Sequence, residues 1–219
     1  MSGRIFLLSP AHLGGKRADL LLGGRGRFAL AERLGAGGTA TLGEAFSFLS
    51  GLYFRGKLAY ARRFARAPAG AEGVYVITSN RGLVPAEALM TAADLRALAG
   101  TEIRADDPEY REPLHRTLAS IDPEPSVTEI VLLGSIATGK YVDVLLDRLG
   151  ERLLFPGDFV GRGDMSRGAL LLRAAREGRE LEYRPVGAAR RRGPRPPPSS
   201  PRHASRKPHP RRPAHSAGR

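Results

Sequence analysis

The chain has 219 residues, with 35 Lys and Arg against 22 Asp and Glu, a formal net charge of +13. It holds no cysteine, which excludes disulfide frameworks, Cys-ligated zinc, iron–sulfur clusters and thiol catalysis. Its 42% apolar content is enough for a core, but its apolar runs are too short for a membrane span or a signal peptide, so a soluble, cytoplasmic chain with no membrane partner is expected.

The charge is concentrated at one end. From Arg190 to Arg219 there are ten basic residues, no acids, eight of the 17 prolines and three of the five histidines. Residues 1–189 carry 25 basic and 22 acidic residues and are nearly balanced. The end segment has almost no apolar side chain to offset its ordering entropy. The predicted organisation is therefore a single α/β domain over 1–187 and a disordered basic Pro/Arg-rich tail over 188–219. Such a tail reads either as an arm for nucleic acid, with arginines displacing phosphate counterions, or as a solvated extension without a dedicated role.

In chain order, Arg4–Ser9 is a buried strand ending at Ser-Pro, and helices are predicted over Lys16–Leu22 and Phe28–Leu34. Thr41, with Glu44 three residues on, predicts a capping box opening a long helix towards Arg66, with Gly51 and Gly56 as weak points. Gly73–Ser79 is a second strand, and Thr91 caps a helix over Ala92–Ala99. Asp107-Pro108 opens another helix, to about Ile121. Glu129–Gly134 is a third strand, followed by a helix to Leu149 and a short strand, Arg152–Phe155. Met165–Arg176 is helical, Gly178 stops it, and Glu180–Arg184 is a last strand. Strands separated by helices predict right-handed crossovers. The expected fold is a three-layer α/β, Rossmann-like one: a mostly parallel sheet of about five strands with helices on both faces.

In such a sheet, ligands bind outside the carboxyl ends of the strands. Those ends here are polar. The first gives Ser9, His12, Gly14, Gly15 and Lys16, and the second Thr78-Ser79-Asn80-Arg81-Gly82. The third gives Gly134, Ser135, Lys140 and Tyr141, and the fourth Arg162, Asp164, Ser166 and Arg167. Each combines glycine, a hydroxyl and a cation, the chemistry of anion binding by backbone N–H groups and positive charge. Ordinary strand-to-helix turns also use Gly and Ser for capping.

Gly134-x-x-x-x-Gly139-Lys140 has P-loop spacing, but Tyr141 stands where a magnesium-binding Ser or Thr belongs, and no strand ends in a Walker-type aspartate. Asp164, among cations, reads as a hydroxyl acceptor, a general base or a helix cap; His12 reads as an acid/base group or an exposed loop histidine. Arg162 and Arg167, close to a helix start, are expected to face the crevice, where an anion would relieve their repulsion from the helix dipole. Tyr53 and Tyr141 are candidates for stacking on a base, although core packing is the ordinary use of helix aromatics. No His/Asp/Glu group has metal-ligand spacing, so neither a metal nor a cofactor is expected.

The stretch from Val131 to Arg173, with Gly-Ser-Ile-Ala-Thr-Gly-Lys-Tyr and Gly-Arg-Gly-Asp-Met-Ser-Arg-Gly, resembles uncharacterised bacterial Rossmann-like proteins. Ile77-Thr78-Ser79-Asn80-Arg81-Gly82-Leu83-Val84-Pro85 is similar to their strand-then-Gly-Leu-x-Pro segment. The resemblance implies the α/β fold and these loops, and no particular reaction.

Two functions stay open. One is binding of a phosphorylated or anionic small ligand, such as a nucleotide, nucleoside or sugar phosphate, with hydrolysis or transfer by Asp164 and His12. The other is nucleic-acid binding through the crevice and the tail.

Overall fold

The computed structural model describes residues 3–121, 128–137 and 139–188. The segment predicted as a tail lies, from residue 189 on, outside the described residues. Along the chain, β1 (Gly3–Leu8) precedes α1 (Lys16–Leu22), α2 (Ala29–Gly35), β2 (Ala40–Thr41), α3 (Leu42–Ser50) and α4 (Leu52–Phe64). Then come β3 (Val74–Ile77), β4 (Leu83–Pro85), β5 (Leu89–Met90), α5 (Ala92–Ala99) and α6 (Pro108–Ile121). The last part holds β6 (Thr128–Leu133), α7 (Gly139–Leu149), β7 (Leu153–Pro156), α8 (Asp164–Glu177) and β8 (Tyr183–Pro185).

Six strands form the central sheet in the order β4-β3-β1-β6-β7-β8, while β2 and β5 pair separately. β3, β1, β6 and β7 run parallel; β4 and β8 are antiparallel at the edges. The sheet therefore has one strand more than the sequence predicts. The missed strand, Leu83-Val84-Pro85, follows Gly82, whose φ of 66° turns the chain straight back along β3. Pro85 lacks an N–H, which an edge strand tolerates and a central one does not. The central strands explain themselves: Ile5–Leu8 and Ile130–Leu133 are fully buried, as parallel strands covered on both faces must be.

The first crossover places β3 on one side of β1, and the next returns past β1 to place β6 on the other. Strand order thus reverses between β1 and β6, and their six-residue register, from Gly3 opposite Thr128 to Leu8 opposite Leu133, brings both carboxyl ends level.

The single long helix expected after Thr41 is two helices. Gly51, at φ 64°, ends α3 and starts α4, a conformation that favours glycine. Thr41 caps α3 by accepting the Glu44 N–H at 3.1 Å, but the Glu44 carboxylate pairs with Arg33 instead of closing a capping box. The complete box is at Thr91 and Asp94, on α5. Gly56 leaves α4 intact and lets it approach α8: a Cβ at Gly56 would stand 2.6 Å from the Gly168 carbonyl oxygen, and one at Gly168 would stand 2.9 Å from that of Leu52. This close crossing sets the α4 residues Tyr53 and Lys57 beside the start of α8. At the other end of β1, buried Arg4 pairs with Glu129 and Glu180 beneath the Tyr183 ring. Among the described residues, no helix is long and apolar enough to cross a membrane.

Candidate functional site

A cleft of about 710 Å³ opens at the carboxyl ends of β1, β3 and β6, where the strand order reverses. Residues 9–14 after β1, Thr78 and Ser79 after β3, and Ser135, Lys140 and Tyr141 after β6 form one wall. Phe46 and Ser50 of α3, Tyr53 and Lys57 of α4, and Asp164 of α8 form another, with residues 98–103 closing the side.

Lys57 is the unusual group. It is 1% exposed, on a helix face shared with Tyr53, Tyr60 and Ala61. Its Nζ donates to the Ser9 carbonyl oxygen at 2.5 Å and contacts the Ser9 Oγ at 2.8 Å. It lies 4.6 Å from the Tyr53 ring centre and 4.9 Å from that of Phe54. Among the described residues, no carboxylate comes within ion-pair distance of it. Burial therefore lowers the Lys57 ammonium to about 7, and the more distant Asp164 carboxylate only partly restores it.

Ser9 is held where β1 ends. Its N–H donates to the Leu133 carbonyl at 3.1 Å, which continues the β1–β6 ladder by one step. Gly134 backs it, since a Cβ there would lie 2.9 Å from both the Ser9 Cβ and the Tyr141 hydroxyl. Tyr141 donates to the Ser135 carbonyl at 2.9 Å, and burial raises its phenol despite that bond and the Ser9 side chain. Tyr53 lies across the cleft floor. Its buried hydroxyl makes no well-formed hydrogen bond among the described residues, although the Arg167 guanidinium lies beside it, and burial holds it protonated.

Of the residues singled out from sequence, the cleft brings together Ser9, His12, Gly14, Ser135, Lys140, Tyr141 and Asp164. His12 and Lys140 are exposed at its rim. Gly15 and Lys16 sit outside, at the start of α1, and Gly134 backs the cleft without lining it. The fourth loop differs from expectation. Arg162 turns back on its own loop, donating to the Asp158 carbonyl at 2.8 Å and to Ser166 Oγ at 3.2 Å. Arg167 is buried, donates twice to the Phe159 carbonyl at 3.2 Å, and reaches Asp164 at 3.4 Å. Carbonyl oxygens, together with the Asp164 carboxylate beside Arg167, thus offset the two cations near the start of α8. Neither Asp164 nor Ser166 caps that helix; its N-cap is Gly163.

Sequence reasoning passed over Lys57 as a site residue. The signal was there: a lysine four residues after Tyr53 and three before Tyr60 lies on the apolar stripe of an amphipathic helix. Comparison of the chain with protein-family models, curated proteins and solved structures finds no match.

Proposed function

We propose that the protein is a Rossmann-like, three-layer α/β protein whose cleft binds a small anionic ligand, such as a phosphorylated metabolite. The observation that carries this reading is the buried Lys57, with no ion-pair partner among the described residues, lining a cleft at the reversal of strand order. A buried cation without a counter-ion is costly, and an arriving anion supplies the missing partner. Lys140 and His12 at the rim add positive potential on the approach. The Tyr53 hydroxyl, with Arg167 beside it, adds a donor from the cleft lining. Leu13, Phe46, Leu98 and Ile103 give the cleft an apolar side that would cover the uncharged part of a ligand.

The test is thermal unfolding of the full chain at pH 7 with inorganic phosphate, nucleoside monophosphates and sugar phosphates. A ligand at a hundred times its Kd stabilises the native state by about 2.7 kcal/mol. Lys140→Ala should weaken that gain without lowering the melting temperature of the free protein. No stabilisation by any of these anions would refute the reading. The nucleic-acid reading rests on the ten basic residues after residue 189; it would be favoured if binding were to oligonucleotides alone and vanished on truncation after Ala188.

A further inference from the structure

We propose that Ser9 and Lys57 form a nucleophile–base pair that carries out acyl transfer on a small ester or amide bearing an anionic group. The proposal rests on the reading that the cleft admits a small anionic ligand, and it names the chemistry done there: a substrate's anionic group sits at the Lys140 and His12 rim rather than against Lys57, which keeps the Lys57 amine free to act as a base. Its geometry is that of an activated hydroxyl: nucleophile and base 2.8 Å apart, both lining one cleft, the base fixed by a second contact. A neutral amine has two N–H donors and one lone pair. One N–H donates to the Ser9 carbonyl at 2.5 Å, which leaves the lone pair to accept the Ser9 Oγ proton.

The same surroundings make the base usable at neutral pH. Burial lowers Lys57 to about 7, so the free amine is well populated there. The charged and titratable groups facing it are Asp164 from α8, Tyr53 on its own helix, with Arg167 of α8 beside that tyrosine, and Tyr141 from α7 across Ser9. His12 and Lys140 line the same cleft.

In the first step the Ser9 Oγ bonds to the acyl carbon as its proton passes to Lys57 Nζ. The Lys57 ammonium then returns that proton to the departing alcohol or amine as the acyl–heteroatom bond breaks. Water attacks the Ser9 ester in the second step, gives its proton to Lys57, and Ser9 leaves reprotonated. The sum is one ester or amide plus water giving one acid and one alcohol or amine. Tyr53, kept protonated by burial, lining the cleft and with Arg167 beside its hydroxyl, is the donor for the developing oxyanion. Tyr141, bonded to the Ser135 carbonyl and facing Ser9, is a positioning residue for the nucleophile.

An alkyl fluorophosphonate tests the pair, because a serine activated in this way displaces fluoride and forms a stable phosphonate ester. The full chain is treated from pH 6 to pH 9, and the adduct is counted by intact mass and placed by peptide mapping. The expected result is a single adduct on Ser9, with a rate rising through a half-maximum at about pH 7. Ser9→Ala should abolish it. Lys57→Met and Lys57→Arg should each slow it by about a hundredfold or more, the arginine because it keeps the charge but cannot act as a base. Melting curves of all three variants establish that they are folded; should Lys57→Met fail to fold, Lys57→Arg and the pH profile decide. No labelling of Ser9, labelling untouched by the Lys57 variants, or a rate indifferent to pH would overturn the proposal. Stabilisation of the same protein by inorganic phosphate is read in parallel. Phosphate binding with an inert Ser9 sinks the pair and leaves the anion cleft standing. A labelled Ser9 without phosphate binding does the reverse.

Discussion

Replacing Lys57 by Met removes the buried amine and keeps the length and apolar stem of the side chain. The unfolded chain holds this lysine at its ordinary 10.5, while the folded chain holds it at about 7. Between those values the unfolded state binds more protons, so folding stability rises with pH across this window, and below about pH 7 the full penalty applies. The gap corresponds to about 4 kcal/mol of penalty at pH 7 and about 1 kcal/mol at pH 10. The methionine escapes this penalty but strands the Ser9 carbonyl, at a cost of about 1–3 kcal/mol, while the Ser9 hydroxyl keeps Tyr141 as a neighbour. Lys57→Met should therefore be more stable than the parent at pH 7 by about 1–3 kcal/mol and should lose that advantage by pH 10. Urea unfolding followed by circular dichroism at pH 6, 7, 8, 9 and 10 measures the difference directly. The buried tyrosines titrate alike in both proteins and cancel. A difference that stays constant from pH 6 to pH 10 would refute the reasoning, since Lys57 would then titrate alike folded and unfolded.

Gly56→Ala should cost about 2–3 kcal/mol by forcing α4 and α8 apart, whereas Gly35→Ala, in a helix with open space around the new methyl, should add up to about 1 kcal/mol; denaturant midpoints of the two variants decide. The Asp94 carboxylate is held below the usual range by its bonds from Thr91 and then by Arg81. The stability it contributes is present above about pH 4 and is lost as pH falls. Asp94→Asn should accordingly flatten the acid limb of the stability profile, and an unchanged limb would show that the cap carries no such linkage. Truncation after Ala188 should leave the melting temperature unchanged, since the removed residues carry almost no apolar side chain; a fall of many degrees would move the domain boundary.

The alternation of apolar runs and capped helices was readable because both signals are local. Ile5–Leu8 and Ile130–Leu133 announce central strands, Thr91 a helix start and Gly178 a helix stop. β4 was not readable, because three residues ending in proline carry too little pattern to compete with a turn. Arg162 and Arg167 were legible as a polar, glycine-flanked turn, but their partners were not: every residue has a carbonyl, so the acceptors at Asp158 and Phe159 leave no mark in the sequence. Lys57 shows the converse. Arg55, two residues earlier on the same helix, is exposed, and only the helical phase set by Tyr53 and Tyr60 separates the two cations. Its contact with Ser9 spans 48 positions and depends on the β1–α4 packing.

The central claim is that Lys57 is a buried amine waiting for an anion, and its ionisation can be read directly. The chain has four lysines, so lysine labelled with ¹³C at Cε gives a spectrum simple enough to assign with Lys57→Met. Titration should place the Lys57 midpoint at about 7 in the free protein. Inorganic phosphate should raise it, because the bound anion favours the ammonium. A midpoint near the ordinary lysine value of 10.5, or one near 7 that phosphate leaves in place, would contradict the account.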